Sequence, residues 1–347
     1  MSGGAASLPE PRIPSSRTAP VVRWGVLGTG WIAERFIASL RRHSRQEVVA
    51  VASRDGTRAA GFARATEVTT SYGSYQELVN AEEVDVVYVA TPHPAHLPCA
   101  LLAIEAGKHV LVEKPLALDA AEAGRIADAA RARGVFCMEA LWTLFLPRYD
   151  VLRQLLADDA VGPVRSVLAE YGEAFGPEHR ILRRDLAGGP LLDLGTYPVA
   201  LSTWLLGVPD TVHAAAIDHP AGVHGQVAAV LGYRNAQAVL HTTLFSATPA
   251  AATIAGEKAS VHLPGPAYQP GDVVLIGADG RVTASWTEPP VGHDALHHQA
   301  AHVARCLDEG VTESHLRPLA DSLTTLRALD AIRASAGISF AEARSTG

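Results

Sequence analysis

The chain has 347 residues, 48% of them hydrophobic and 19% charged, with a formal net charge of −7. This fits about two globular domains, and the negative balance argues against a nucleic-acid partner, because phosphate binding needs a basic face. No apolar run reaches the roughly 18 residues of a membrane span, and Cys99, Cys137 and Cys306 are too scattered for a disulfide framework or a zinc pattern.

Residues 1–20, rich in Gly, Pro and Ser and without the apolar core of a secretory leader, read as a disordered tail on a cytoplasmic protein. From residue 21 the pattern alternates. Apolar runs at 21–27, 47–52, 84–91, 109–115 and 135–141 predict buried strands. Between them, helical spacing predicts helices after Gly30, over 57–65, 74–81, 95–106 and 119–133. Nearly continuous apolar strands alternating with helices imply a doubly wound parallel sheet over 21–141.

Gly28-Thr29-Gly30-Trp31-Ile32-Ala33 follows the first strand and opens a helix, the context in which G-x-G-x-x-A binds a dinucleotide. Gly28 permits the tight turn, Gly30 lets the backbone approach the diphosphate, and the helix N-terminus supplies N–H donors. A plain strand-to-helix turn is the bland reading. Cofactor choice is read at the end of the second strand, where an acid favours NAD. Here the residues are Ser53-Arg54-Asp55, and Arg54 with Arg58 predicts NADP through charge-assisted bonds to a 2′-phosphate. The alternative is an exposed arginine with Asp55 serving NAD.

Only three of the 29 basic residues are lysines, and one, Lys114, ends the fourth strand as Val112-Glu113-Lys114-Pro115. That tripeptide, the turn Thr91-Pro92-His93-Pro94-Ala95-His96 and the motif Gly188-Gly189-Pro190-Leu191-Leu192-Asp193-Leu194-Gly195-Thr196-Tyr197 resemble the glucose-fructose oxidoreductase / inositol dehydrogenase (Gfo/Idh/MocA) family. Met138-Glu139-Ala140-Leu141-Trp142-Thr143 is similar to the dimeric dihydrodiol dehydrogenase branch, although Leu144 stands where that branch tends to have arginine. The resemblance implies an oxidoreductase moving hydride between nicotinamide and a hydroxyl carbon of a sugar, cyclic polyol or trans-dihydrodiol. It also implies that Thr91, His93, His96, Glu113 and Lys114 line the cofactor pocket. Asp193 would orient substrate hydroxyls or Tyr197.

Removing hydride from an alcohol carbon requires a base within hydrogen-bond reach of the hydroxyl. Tyr197 is the candidate acceptor, with Lys114 lowering its pKa and stabilising the developing alkoxide. The other assignment makes Lys114 the proton carrier. The bland readings are a packed aromatic for Tyr197, a helix cap for Asp193, and an interdomain core residue for Trp142, which otherwise stacks on substrate. Arg180 is a weaker candidate for substrate oxygens.

After Pro147 a helix over 148–159 is expected, then strands over 164–173, 213–220, 227–235, 236–247, 252–264 and 272–280, and a last helix over 319–336. Short turns between the strands imply a large, mostly antiparallel sheet in an α+β domain over 142–340. Its open apolar face would form a homodimer or homotetramer. His293, His297, His298 and His302 form no zincin pattern, so no metal is expected. The competing functions are an NAD-linked ketosugar or inositol oxidoreductase, a non-catalytic dinucleotide-binding regulator, and a glycoside-cleaving enzyme that cycles its NAD.

Overall fold

A computed structural model describes residues 6–339. The described chain divides into two compact units, one of residues 14–145 and 291–323, the other of residues 6–13, Leu146–Pro290 and residues 324–339. The described chain opens with β1 (Ala6–Ser7), which belongs to the second unit.

The first unit runs β2 (Arg23–Leu27), α1 (Trp31–His43), β3 (Glu47–Ala52), α2 (Gly56–Ala65), β4 (Thr70–Tyr72), α3 (Tyr75–Val79), β5 (Val86–Val89), α4 (His96–Glu105), β6 (His109–Glu113), α5 (Ala120–Arg133) and β7 (Cys137–Ala140). The six strands are parallel, in the order β4-β3-β2-β5-β6-β7. Every residue of β5 and β7 is buried, as strands covered on both faces require. Helix α1 turns Ala33, Phe36, Ile37 and Leu40 inward, and Phe36 stacks on Tyr88 of β5 at 4.0 Å. Chain order reverses between β2 and β5, so the crevice at their carboxyl ends is where such a sheet binds ligands.

Residues 291–323 join this unit, whereas the sequence places them in the second domain. The amphipathic pattern of α9 (His297–Asp308) shows that one face is buried without showing against what. Here Ser39 of α1 accepts from His297 N at 2.9 Å, and Cys137 of β7 donates to the Thr312 carbonyl at 3.2 Å.

The second unit holds α6 (Pro147–Ala157), β8 (Val164–Gly172), α7 (Pro190–Asp193), α8 (Thr196–Leu206), β9 (Thr211–Asp218), β10 (His224–Tyr233), β11 (Ala236–Thr243), β12 (Ala252–Gly256), β13 (Ala259–Leu263), β14 (Val273–Gly277) and β15 (Val282–Trp286). With β1 they form a nine-stranded sheet, β1-β15-β14-β13-β12-β8-β11-β10-β9. Only the β1–β15 and β8–β11 pairs are parallel. Helix α8 covers one face across β8 and β11. The single strand expected over 252–264 is instead a hairpin of β12 and β13, turned at Glu257-Lys258. The last helix, α10, spans Leu319–Ser335.

The expected disordered tail is corrected for residues 6–20. In the second unit β1 pairs with β15, and Arg12 N bonds Asp150 Oδ2 at 2.7 Å. In the first unit Ser16 and Ala19 are buried, Ala19 against Ala301 and Ala304, and Arg305 bonds the Ser15 carbonyl at 2.7 Å. Composition had suggested disorder, but small residues fit closely against alanine-lined surfaces, and the backbone polar groups find partners. Residues 1–5 lie outside the described residues.

Candidate active site

The phosphate loop is built by two glycines with different duties. Gly28 has φ +108°, and a Cβ there would stand 2.4 Å from the Ala90 carbonyl oxygen, so only glycine lets β2 and β5 end side by side. Gly30 caps α1, and a Cβ there would meet nothing within 4 Å, leaving open space in front of the helix N-terminus. Thr29 and Ile32 flank that space in sequence, and Ala33 is fully buried beneath it. A nicotinamide dinucleotide fits this cradle. Its diphosphate would meet the N–H groups that begin α1.

At the end of β3, Ser53 is buried and its hydroxyl accepts from Asp55 N at 3.4 Å. Asp55 caps α2, its carboxylate accepting from Arg58 N at 3.1 Å. The guanidinium-bearing residues Arg54 and Arg58 are exposed. Here the acid works for the helix, and the arginines are available to a ligand.

The ends of β5 and β6 fix Lys114. Glu113 is buried, accepts from the Tyr88 hydroxyl and accepts Lys114 N at 3.2 Å. The Lys114–Pro115 peptide is cis. His96 is completely buried, with its ring nitrogens 2.8 Å from the Pro115 carbonyl oxygen and 2.9 Å from that of Thr91. Its side chain therefore ties the two turns together. His93, buried beside it, packs edge-on at 5.6 Å. Glu139 of β7 accepts Leu116 N at 3.0 Å, and its other oxygen takes Arg317 Nε at 2.9 Å and the Ser322 hydroxyl at 2.7 Å. Neither Glu139 nor Arg317 was a sequence candidate, because nothing local pairs residues so far apart.

Trp142 is 3% exposed and stacks on His293 at 5.1 Å and 26°. So its indole holds another ring. His293 in turn meets Trp31 of the phosphate loop edge-on at 4.7 Å. Burial, and then the charges of Lys114 and Arg35, push this imidazole down to about 4, so it is neutral at pH 7. From the sequence alone His293 is a candidate only as a metal ligand. Among the described residues no three His, Cys, Asp or Glu side chains gather to hold a metal ion. His302 Nε2 instead lies 2.8 Å from the Ser314 hydroxyl.

In the second unit the Gly188-Gly189 pair makes a tight turn. A Cβ on Gly188 would lie 2.5 Å from the Ile181 carbonyl oxygen, and one on Gly189 would enter the His224 ring. The turn delivers buried Asp193 at the end of α7, where Arg180 pairs with it at 2.9 Å. Asp193 is therefore not the cap of α8, whose N-cap is Gly195, without a side-chain bond. Tyr197, partly buried, stacks on Tyr268 at 4.6 Å, and Tyr268 stacks on Tyr171 at 4.5 Å. The hydroxyls of Tyr171 and Tyr268 are 2.6 Å apart, and Tyr171 donates to Glu173 at 2.9 Å. Burial, with Tyr268 next, pushes the Tyr171 pKa up, so that phenol stays protonated and cannot serve as a base. Arg180, Asp193 and Tyr197 thus belong to one region of the second unit, and Lys114 with the dinucleotide loop belongs to the first.

A parallel sheet with an open phosphate loop at its switch point, and a lysine held at a neighbouring strand end, define a nicotinamide-dependent oxidoreductase. The model of the oxidoreductase family with an NAD-binding Rossmann fold (Gfo/Idh/MocA) matches residues 22–141, and that of the family's C-terminal domain matches 149–262. The chain belongs to this family. It is 34% identical to a trans-1,2-dihydrobenzene-1,2-diol dehydrogenase of Xenopus laevis, over 92% of this chain and 99% of the relative. A 3-ketoreductase from Actinomadura kijaniata, solved with NADP and TDP-benzene, superposes with TM-score 0.80 at 27% identity, over 91% of this chain and 98% of that one. A levoglucosan dehydrogenase solved with NADH and levoglucosan has the same fold, with TM-score 0.82 at 20% identity, over 91% and 97% of the two chains. No helix of the described residues is long and apolar enough to cross a membrane.

Proposed function

We propose that this enzyme is an NADP-dependent dehydrogenase acting on a hydroxyl carbon of a trans-dihydrodiol, a sugar or a cyclic polyol. The observation that carries the substrate class is the match to a dihydrodiol dehydrogenase along nearly the whole of both chains. The bound dinucleotide supplies a hydride acceptor. The protein positions the hydroxyl, with Lys114 stabilising negative charge on its oxygen and Asp193, itself paired with Arg180, orienting substrate hydroxyls or Tyr197. Tyr197 or Lys114 takes the proton. The test is absorbance at 340 nm with NADP⁺ and a panel of trans-dihydrodiols, aldoses and polyols. Turnover of at least one class supports the reading. NADPH binding with no turnover in either direction across the panel would overturn it.

The cofactor preference rests on the division of labour after β3, where Asp55 caps α2 and Arg54 is exposed. A charge-assisted bond to a 2′-phosphate is worth about 1.5–3 kcal/mol. Arg54→Ala is therefore expected to raise KM for NADP⁺ by about 10–100-fold and to leave KM for NAD⁺ within about threefold. Equal effects on both cofactors would remove NADP from the proposal.

A second copy of the chain is proposed to cover the outer face of the nine-stranded sheet. Val230, Val239 and Leu168 stand in one cross-strand row on β10, β11 and β8, and are 36%, 44% and 49% exposed. Light scattering is expected to give a dimer or tetramer for the parent and a monomer for Val239→Glu with Leu168→Glu. A monomeric parent would sink this assignment.

A further inference from the structure

The ring of His293 fills the space between two indoles that the sequence separates by more than a hundred residues. Trp31 is the first residue of α1, immediately after the Gly30 cap, and it is 54% exposed. Besides meeting His293 edge-on, its ring has the Arg35 guanidinium 5.5 Å from its centre. Trp142 follows β7, in the turn Trp142–Phe145, and lies nearly parallel to the imidazole. His293 itself comes from the short turn Gly292–Leu296, which precedes α9. The next residue, Asp294, is engaged with Arg42, which anchors the turn on α1.

We propose that His293 is a positioning residue of the dinucleotide site, a ring-shaped spacer that holds Trp31 in place beside the phosphate loop by bracing it against Trp142. The proposal rests on dinucleotide binding at the Gly28–Trp31 loop. A spacer in this position must be flat, to stack on one indole while meeting the edge of the other. It must also be uncharged, because Arg35 and Lys114 both press positive potential on it. Without the ring, Trp31 loses its brace and the half-exposed indole samples other rotamers. Re-ordering it then becomes a cost of binding.

Calorimetric titration with NADPH, followed by steady-state kinetics, tests this in four proteins. His293→Ala and His293→Gln are expected to raise Kd for NADPH about tenfold, equivalent to about 1.4 kcal/mol. Their kcat at saturating dinucleotide should fall by less than about threefold. His293→Phe keeps a flat ring and drops both nitrogens, and is expected to bind NADPH within about threefold of the parent. Phenylalanine binding as weakly as glutamine would show that the ring nitrogens matter, and would overturn the spacer. Unchanged affinity in the glutamine variant would overturn it as well. These two variants decide the question even where the alanine variant fails to fold. A parent that binds neither NADPH nor NADH would instead refute dinucleotide binding itself.

Discussion

Replacing Lys114 with alanine is expected to lower kcat/KM for the hydroxyl substrate by about 10²–10⁴-fold, the usual range for removing a group that handles the proton or its charge. Dinucleotide affinity should fall much less, by under about tenfold, because the phosphate loop rests on Gly28, Gly30 and the start of α1. Lys114→Arg separates the two roles left open for the lysine. Arginine keeps the charge but cannot give up its proton in a protein. If Lys114 works as a charge and Tyr197 accepts the proton, the arginine variant recovers part of the activity. Tyr197→Phe is then as damaged as the alanine variant, and its rate loses the pH dependence that a phenol imposes. If Lys114 carries the proton, arginine is as inactive as alanine, and Tyr197→Phe keeps a measurable rate. An alanine variant within about threefold of the parent would remove Lys114 from the chemistry.

The sequence revealed most of what depends on local pattern. The period of apolar residues placed β2, β3, β5 and β6, and the Gly28-Thr29-Gly30 spacing located the phosphate loop, because both are fixed by neighbours in sequence. Arg180 and Asp193 lie thirteen positions apart; each is a candidate in sequence, but their ion pair is a contact that no spacing signals. What escaped depends on long-range packing. Strand β4 is only three residues long, too short for a period. An amphipathic α9 could have served either core, and it joined the first because Ser39 and Cys137 take up the polar groups of 291–323. His293 gave no sign of its role, since an imidazole between two indoles is defined by tertiary contacts alone. The same holds for the tyrosine stack behind Tyr197, where Tyr171 of β8 meets Tyr268 of the loop between β13 and β14, far along the chain.

Glu139 connects stability to the site, and removing it is expected to have the largest effect on folding. Its carboxylate and the Arg317 guanidinium are each 1% exposed and 2.7 Å apart, and Ser322 donates to the same oxygen. Breaking a buried pair from one side leaves an uncompensated charge, at a cost of about 3–5 kcal/mol. In a unit of this size that corresponds to a fall in melting temperature of about 10 °C. Glu139→Ala should therefore unfold about 10 °C early by calorimetry, and Arg317→Ala similarly. The double replacement Glu139→Leu with Arg317→Met should recover much of the loss, because two apolar chains leave no buried charge. Recovery of stability need not bring recovery of rate. The other oxygen of Glu139 accepts from Leu116 N, two residues beyond Lys114, and leucine cannot replace that bond. The double variant is thus expected to melt near the parent while its kcat stays depressed, separating the carboxylate's hold on the lysine turn from its contribution to the core. Full recovery of both would mean that Leu116 needs no acceptor, and that the turn bearing Lys114 is held by His96 and Glu113 alone.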